Sequence, residues 1–248
     1  MKGGSIEIRD MLVQRGSFSL RVDELDVSPH EIFAIVGETG AGKTVLLEAI
    51  AGAFPLEEGR ILLDGKDIRK LPVQQRRLGI VYQDHVLFPH MTVAENIGYG
   101  LKMARVPKAQ AAQRVEEMLE LFSIGHIADR YPGIISGGES QRTALARALV
   151  LQPEILLLDE PFSALDPTTK KHTYETLRDV HDRFGCTVVF VTHDFNEARN
   201  LGHRAGIILD GALQAVCPAD ELFMREFPPR VMAFLGREDE AAPGDEKD

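Results

Sequence analysis

The run Gly37-Glu38-Thr39-Gly40-Ala41-Gly42-Lys43-Thr44 sets a lysine and a hydroxyl directly behind spaced glycines. Glycines at this spacing let backbone N–H groups turn inward around an anion. The lysine can then reach terminal phosphates, and the hydroxyl can ligate Mg²⁺. Two more segments follow in order. Ile135-Ser136-Gly137-Gly138-Glu139-Ser140-Gln141-Arg142 offers a hydroxyl and bare N–H groups ahead of a helix, and Ile155-Leu156-Leu157-Leu158-Asp159-Glu160 carries two carboxylates out of an apolar strand. Each has a bland reading: a chance glycine match, a glycine turn before a helix, an ordinary strand end. Their occurrence together, in this order, makes those readings poor and points to a nucleoside triphosphate site.

The elements that must position these groups are visible around them. Ile32-Phe33-Ala34-Ile35-Val36 reads as a buried strand before the glycine loop, and Val45–Ile50 as the start of a helix after it. Residues 6–36 alternate in short bursts, as a small antiparallel sheet does, and Arg60–Leu63 is a strand closed by an Asp64-Gly65 turn. Leu78–Tyr82 is a further strand, ending at Gln83. The stretch 108–122 has helix formers with apolar residues at Val115, Met118, Leu119 and Phe122, so a helical lobe is expected between two core strands. A helix from Gln141 to about Leu151 closes that lobe. Ile155–Asp159 and Thr187–Thr192 are continuous apolar runs, as in parallel strands covered on both faces.

Composition narrows the function. A net charge of −10 and a pI near 5.3 leave no basic stripe for a general nucleic-acid binder, so no nucleic-acid partner is expected. Cys186 and Cys217 are far apart, without metal spacing; inert thiols in a reduced compartment are favoured over a disulfide. The amino terminus has no apolar segment of the signal-peptide kind. No run approaches the ~18–20 apolar residues needed to span a bilayer. Residues 236–248, acidic with Ala241-Ala242-Pro243-Gly244, are expected to be a disordered tail.

Across residues 1–235 the three segments together resemble the nucleotide-binding subunit of an ABC transporter. The resemblance implies an α/β fold: a P-loop NTPase (RecA-like) core, about 1–87 and 152–235, with a small antiparallel β subdomain and an inserted α-helical subdomain, about 88–151. It implies an ATPase that uses ATP and Mg²⁺. Residues Gly37 to Thr44 (Gly37, Glu38, Thr39, Gly40, Ala41, Gly42, Lys43 and Thr44) would hold the phosphates, with Thr44, Gln83 and Asp159 organising the metal. Glu160 would polarise the attacking water, His193 would act as the switch histidine, and Gln83 would link the site to the helical lobe. In the family two subunits close head to tail, so Ser136, Gly137 and Gly138 would meet the γ-phosphate held by a second copy, and Asp166 would cross to the partner's site. The family's adenine-stacking aromatic falls near Gln14, which is not aromatic; Phe18 is the nearest candidate. Glu139 departs from the usual glutamine and is read as variation.

The loop Asp84–Ile97 contains Leu87-Phe88-Pro89-His90, an apolar stretch costly to expose unless a partner covers it. In importers this loop receives the coupling helix of a transmembrane permease, which would place the protein peripherally on the cytoplasmic face of the membrane, served indirectly by a substrate-binding protein. The alternative is that Leu87 and Phe88 tuck into the chain's own helical lobe. Arg15–Leu20, Leu71–Arg77, Phe88-Pro89-His90 and Asn96–Leu101 look most like molybdate or tungstate importer subunits, with sulfate, iron and polyamine importers sharing much of the pattern. Such relatives usually carry an added regulatory β-barrel, which is not expected here. Soluble ABC ATPases of cofactor assembly or DNA repair, and a sensing scaffold without turnover, are the other classes considered. The repair types carry coiled-coil insertions, and the intact Asp159-Glu160 and His193 weigh against a scaffold.

Overall fold

The computed structural model describes residues 3–163, 165 and 167–237. Asp166 and most of the expected acidic tail therefore lie outside the described residues. Strands β1 (Ile6–Arg15) and β2 (Phe18–Val27) form an antiparallel hairpin. Asp10 takes a positive φ of 51°, and there the alternation slips by one residue, so Ile6 and Ile8, then Met11 and Val13, turn inward. β3 (Ile32–Gly37) leads to helix α1 (Lys43–Ala51). β4 (Glu58–Leu63) and the short β5 (Lys66–Asp67) pair across Asp64-Gly65, whose φ values of 49° and 73° are those of a two-residue hairpin turn. β6 is Leu78–Val81; Tyr82, expected within this strand, lies beyond its end.

Between β6 and β7 (Ile155–Asp159) the chain forms α2 (Val93–Met103), α3 (Lys108–Leu121) and α4 (Gly137–Leu149), with α2 packed on both others. α4 starts at Gly137, ahead of the expected Gln141. Glycine is a poor helix former, but Ser136 and Glu139 form a reciprocal capping box that closes the first turn around Gly137 and Gly138. The chain then runs through α5 (Pro167–Phe184), β8 (Thr187–Thr192), α6 (Phe195–Leu201), β9 (Arg204–Leu209), β10 (Ala212–Pro218) and α7 (Pro229–Phe234).

Among the described residues the strands form one sheet in the order β5-β4-β1-β2-β10-β9-β3-β8-β7-β6. β9, β3, β8, β7 and β6 are mutually parallel, and the rest of the sheet is largely antiparallel. The parallel strands feed two cores by simple alternation. Ala34, Val36, Leu156, Leu158, Val188 and Phe190 face the helical side, while Phe33, Ile35, Leu157, Val189 and Val191 face α1 and the antiparallel strands. Each fully buried large aliphatic or aromatic side chain contributes about 1.5–3 kcal/mol. That two-sided burial fixes the carboxyl ends of β3, β7 and β8 side by side, where α/β sheets bind ligands.

Candidate active site

Three strand ends supply the site. After β3, Gly40 and Gly42 adopt φ values of 83° and 106°, a region that excludes most side chains. A Cβ on Gly42 would come within 2.8 Å of the Phe18 ring, whereas one on Gly40 would meet nothing within 4 Å. Gly42 caps α1 without a side-chain bond, and the first turn of α1 carries no acidic residue. The first N–H groups and the positive end of the dipole are thus left for an anion. Lys43, 5 % exposed, donates to the carbonyl oxygens of Gly37 (2.9 Å) and Glu38 (2.8 Å). Burial pulls its ammonium below the ordinary lysine value, with Glu160 and Asp159 opposing.

At the end of β7, Asp159 accepts the Thr44 hydroxyl, with both carboxylate oxygens 3.0 Å from Thr44 Oγ1. Burial pushes the Asp159 carboxyl up, against the Thr44 bond, and the neighbouring Glu160 adds to the rise. Glu160 has φ 43°, and its N–H donates to Val191 O on β8 at 3.1 Å. This bent backbone turns the side chain out of the sheet, where Glu160 Oε2 lies 3.2 Å from His193 Nδ1. Ser163 Oγ donates to Glu160 O at 3.1 Å, and Gln83 Nε2 reaches Ser163 Oγ at 3.5 Å. Lys43, Thr44, Gln83 and Glu160 line one cleft of about 390 Å³ with Phe18 and Arg15. A second cleft of about 390 Å³ shares Phe18, Thr39 and Gly40 with the first and is lined further by Glu38, Ala41 and Asp210 among others.

Ser136, Gly137 and Gly138 line neither cleft of their own chain. Ser136 and Gly137 are exposed at the start of α4. The Ser136 hydroxyl donates to Glu139 Oε2 at 2.7 Å and accepts from Glu139 N at 3.3 Å. The Ser136 hydroxyl, together with the Ser136 N–H that donates to the same Oε2 at 2.7 Å, holds the Glu139 carboxyl below the usual carboxylate range, with a smaller contribution from His126. Glu139 is therefore the closing residue of the cap, a role the sequence reading did not give it.

One expectation changes, and one residue was not anticipated. Leu87 and Phe88 do not form an exposed apolar loop. Leu87 is buried, and the half-buried Phe88 ring packs against Tyr99 (centroids 4.6 Å apart) beneath the Arg147 guanidinium. The cause is Asn96, fully buried, whose amide bonds the backbone of Phe88, Met91 and Thr92 and folds the loop onto α2. Val86 of the same loop stays exposed, and nearby lies an apolar groove of about 670 Å³ with Val73, Leu78, Tyr99, Met103 and Leu151 in its wall. Gln141 was also missed. It is 1 % exposed, and its amide donates to Pro161 O, directly after Glu160. Its one sequence signal is a polar residue in register with the apolar Leu145 and Leu149 of α4.

Parallel strands, glycine loop, capped helix and paired carboxylates define a P-loop nucleotide-binding cassette. The chain belongs to the ABC transporter family, whose characteristic domain matches residues 20–163. It is 46 % identical over 221 residues to the molybdate/tungstate import ATP-binding protein WtpC of Pyrococcus horikoshii. That alignment covers 89 % of this chain but 64 % of the relative, so the chain spans less than two thirds of that protein's length. It is 44 % identical over 237 residues to the sulfate/thiosulfate import ATP-binding protein CysA of Methylococcus capsulatus, covering 94 % of this chain and 68 % of the relative. Among solved structures it resembles cbiO1 of Clostridium perfringens, part of the ABC transporter complex cbiONQ (TM-score 0.81, 26 % identity, 89 % and 90 % of the two chains). It also resembles the dimeric, post-hydrolysis ATP-binding cassette MJ0796 bound to ADP and Pi (TM-score 0.76, 28 % identity, 90 % and 100 %).

Proposed function

We propose that the chain is the ATP-hydrolysing subunit of an ABC importer, and that its cargo is molybdate or tungstate. The observation that carries the hydrolytic reading is the pair of adjacent carboxylates with separate partners: Asp159 meets the P-loop hydroxyl of Thr44, and Glu160 meets His193. One acid thus faces the phosphate loop while its neighbour faces a potential proton-handling partner.

The donor set fits the groups this reading requires. A threonine hydroxyl and an aspartate carboxylate are hard oxygen ligands, and Mg²⁺ is commonly held by one or two carboxylates together with substrate phosphates. When bound, the metal would neutralise charge on the phosphates. Thr44 and Asp159 would hold it, with Gln83 within reach of the same cleft. Lys43, seated on Gly37 and Glu38 carbonyls, would exchange those bonds for phosphate oxygens. Glu160 would orient a water and take its proton, and such a base contributes a factor of about 10²–10⁴. His193 would hold the Glu160 carboxylate in place, and Phe18 would give the base an aromatic face.

The Ser136–Gly138 segment, exposed at Ser136 and Gly137, would complete a second copy's site, giving a homodimer with ATP between the two chains. The core lobe would be residues 1–87 and 152–235, and the helical lobe 88–151. Among the described residues no helix is long and apolar enough to cross a membrane, so the translocation path would belong to separate permease subunits. They would dock in the groove at Val73, Tyr99, Met103 and Leu151, placing the protein on the cytoplasmic face. A substrate-binding protein would deliver the cargo.

The similarity to WtpC favours molybdate or tungstate. That to CysA supports sulfate as a second reading, because the two identities are nearly equal. Mg²⁺-dependent ATP hydrolysis by the purified chain, lost in Lys43→Ala, tests the enzymatic reading. Accumulation of molybdate, tungstate and sulfate in cells with and without the gene tests the cargo.

A further inference from the structure

Behind the His193 turn lies an ionic cluster that the mechanism above does not use. Lys170, in the first turns of α5, places its ammonium 2.5 Å from Glu197 Oε1 and 3.1 Å from Asp194 Oδ2. Glu197 is almost wholly buried, and its other oxygen accepts the Thr192 hydroxyl. Thr192 Oγ1 in turn accepts from Asp194 N at 3.0 Å, while Asp194 caps α6 by accepting from Asn196 N at 2.8 Å. His193 stands between Thr192 and Asp194, so both of its chain neighbours belong to one closed network. Its own side chain is 58 % exposed and owes its direction to the backbone that carries it.

α5 follows directly on the 163–166 segment, and its Tyr174 packs edge-on against Phe162, centroids 4.7 Å apart. Burial pulls the Lys170 ammonium down, yet the bonds it donates to Glu197 and Asp194 outweigh it and hold it above the ordinary lysine value. The charge is thus retained in place. Removing it would leave Glu197 buried without a counter-ion, a costly state that the turn can relieve only by moving.

We propose that Lys170 is a positioning residue that holds the Thr192-His193-Asp194 turn so that His193 meets Glu160, fastening this turn to the segment that follows Glu160. The inference rests on the hydrolytic reading above. An angular error at His193 would spoil alignment of the Glu160 carboxylate without touching the phosphate loop, so its signature is in turnover and not in binding.

The test compares Lys170→Met, Lys170→Arg and Asp194→Asn by steady-state ATPase kinetics, nucleotide titration and thermal melting. Lys170→Met is expected to lower kcat about 10–100-fold, the scale of a small misplacement near the chemistry, with ATP affinity unchanged. Lys170→Arg should recover most of the rate. Asp194→Asn, which keeps an oxygen for the α6 cap, should show a smaller loss of the same kind, and it carries the test if Lys170→Met does not fold. Unchanged kcat in folded Lys170→Met, or affinity falling in step with kcat, overturns the inference. Full turnover in Glu160→Gln would instead remove the hydrolytic reading beneath it, so the two failures are distinguishable.

Discussion

The side-chain amide of Gln141 donates to the carbonyl oxygen of Pro161, joining α4 to the segment that follows Glu160. Ser136 caps the start of α4, and Glu160 sits beside His193. Under the proposed function these two ends serve different nucleotides: Ser136 the one held by the second copy, Glu160 the chain's own. On that reading, the buried bond between them would give one chain a direct route by which contact at one ATP bears on the chemistry at the other.

Glu160→Gln should abolish turnover and preserve ATP binding. The amide keeps the shape of the side chain but cannot take a proton, and the loss should be about 10²–10⁴-fold. Mg-ATP should then hold the variant as a dimer, because under the proposed function an unhydrolysed γ-phosphate would keep bridging to Ser136–Gly138 of the second copy. ATPase rate and sedimentation with Mg-ATP check both halves, and near wild-type hydrolysis would remove Glu160 from the mechanism.

Phe18 lines both clefts and packs on Gly42, where even a Cβ would strike its ring. Phe18→Ala should therefore weaken ATP by about 1–3 kcal/mol, the scale of base–aromatic stacking. A nucleotide titration beside a melting curve checks it. A fall in melting temperature with affinity intact would make Phe18 a support of the P-loop and not a base platform.

How much was legible beforehand follows from the range of the forces involved. β3, β7 and β8 were legible because strands covered on both faces must be apolar throughout, and the glycine loop because its φ values demand glycine. The start of α4 was not: propensity argues against Gly137 and Gly138, and the capping box that overrules it depends on Glu139 being read as a partner of Ser136. Phe88 looked exposed because its burial depends on one amide, Asn96, in the next helix. Gln141 and Lys170 were missed because their partners, Pro161 and the Asp194–Glu197 pair, are brought to them only by the packed sheet.

Glu139 gives the capping box a pH dependence. Its carboxyl is depressed by the Ser136 hydroxyl and N–H, so the stabilisation is present above the unfolded carboxylate range and is lost as pH falls through the lower folded value. Glu139→Gln keeps the cap but makes it neutral, and should cost at most about 1 kcal/mol near pH 7, the difference between charged and neutral bonds. That difference should vanish in acid. Denaturant melts of both proteins from pH 7 downward check it, and a gap that persists below the carboxylate range would assign the cost to shape.

Permease docking, as proposed, can be located by placing a charge on the docking surface. A charge at Phe88 would be a poor probe, because that ring packs against Tyr99 and Arg147 and its loss would damage the subunit itself. Met103 is better placed: it is 56 % exposed and lies in the wall of the groove with the exposed Val73 and Leu151. Met103→Glu should leave folding and the isolated subunit's ATPase unchanged, since the carboxylate stays in water. Docked against an apolar helix, the same carboxylate would be buried without a counter-ion, a penalty large enough to prevent assembly. Co-purification with a tagged permease should fail, and oxyanion uptake should be lost in cells that carry the change. Normal assembly and uptake in Met103→Glu would move the docking surface away from this groove, whereas loss of ATPase in the isolated subunit would show that Met103 acts within the chain.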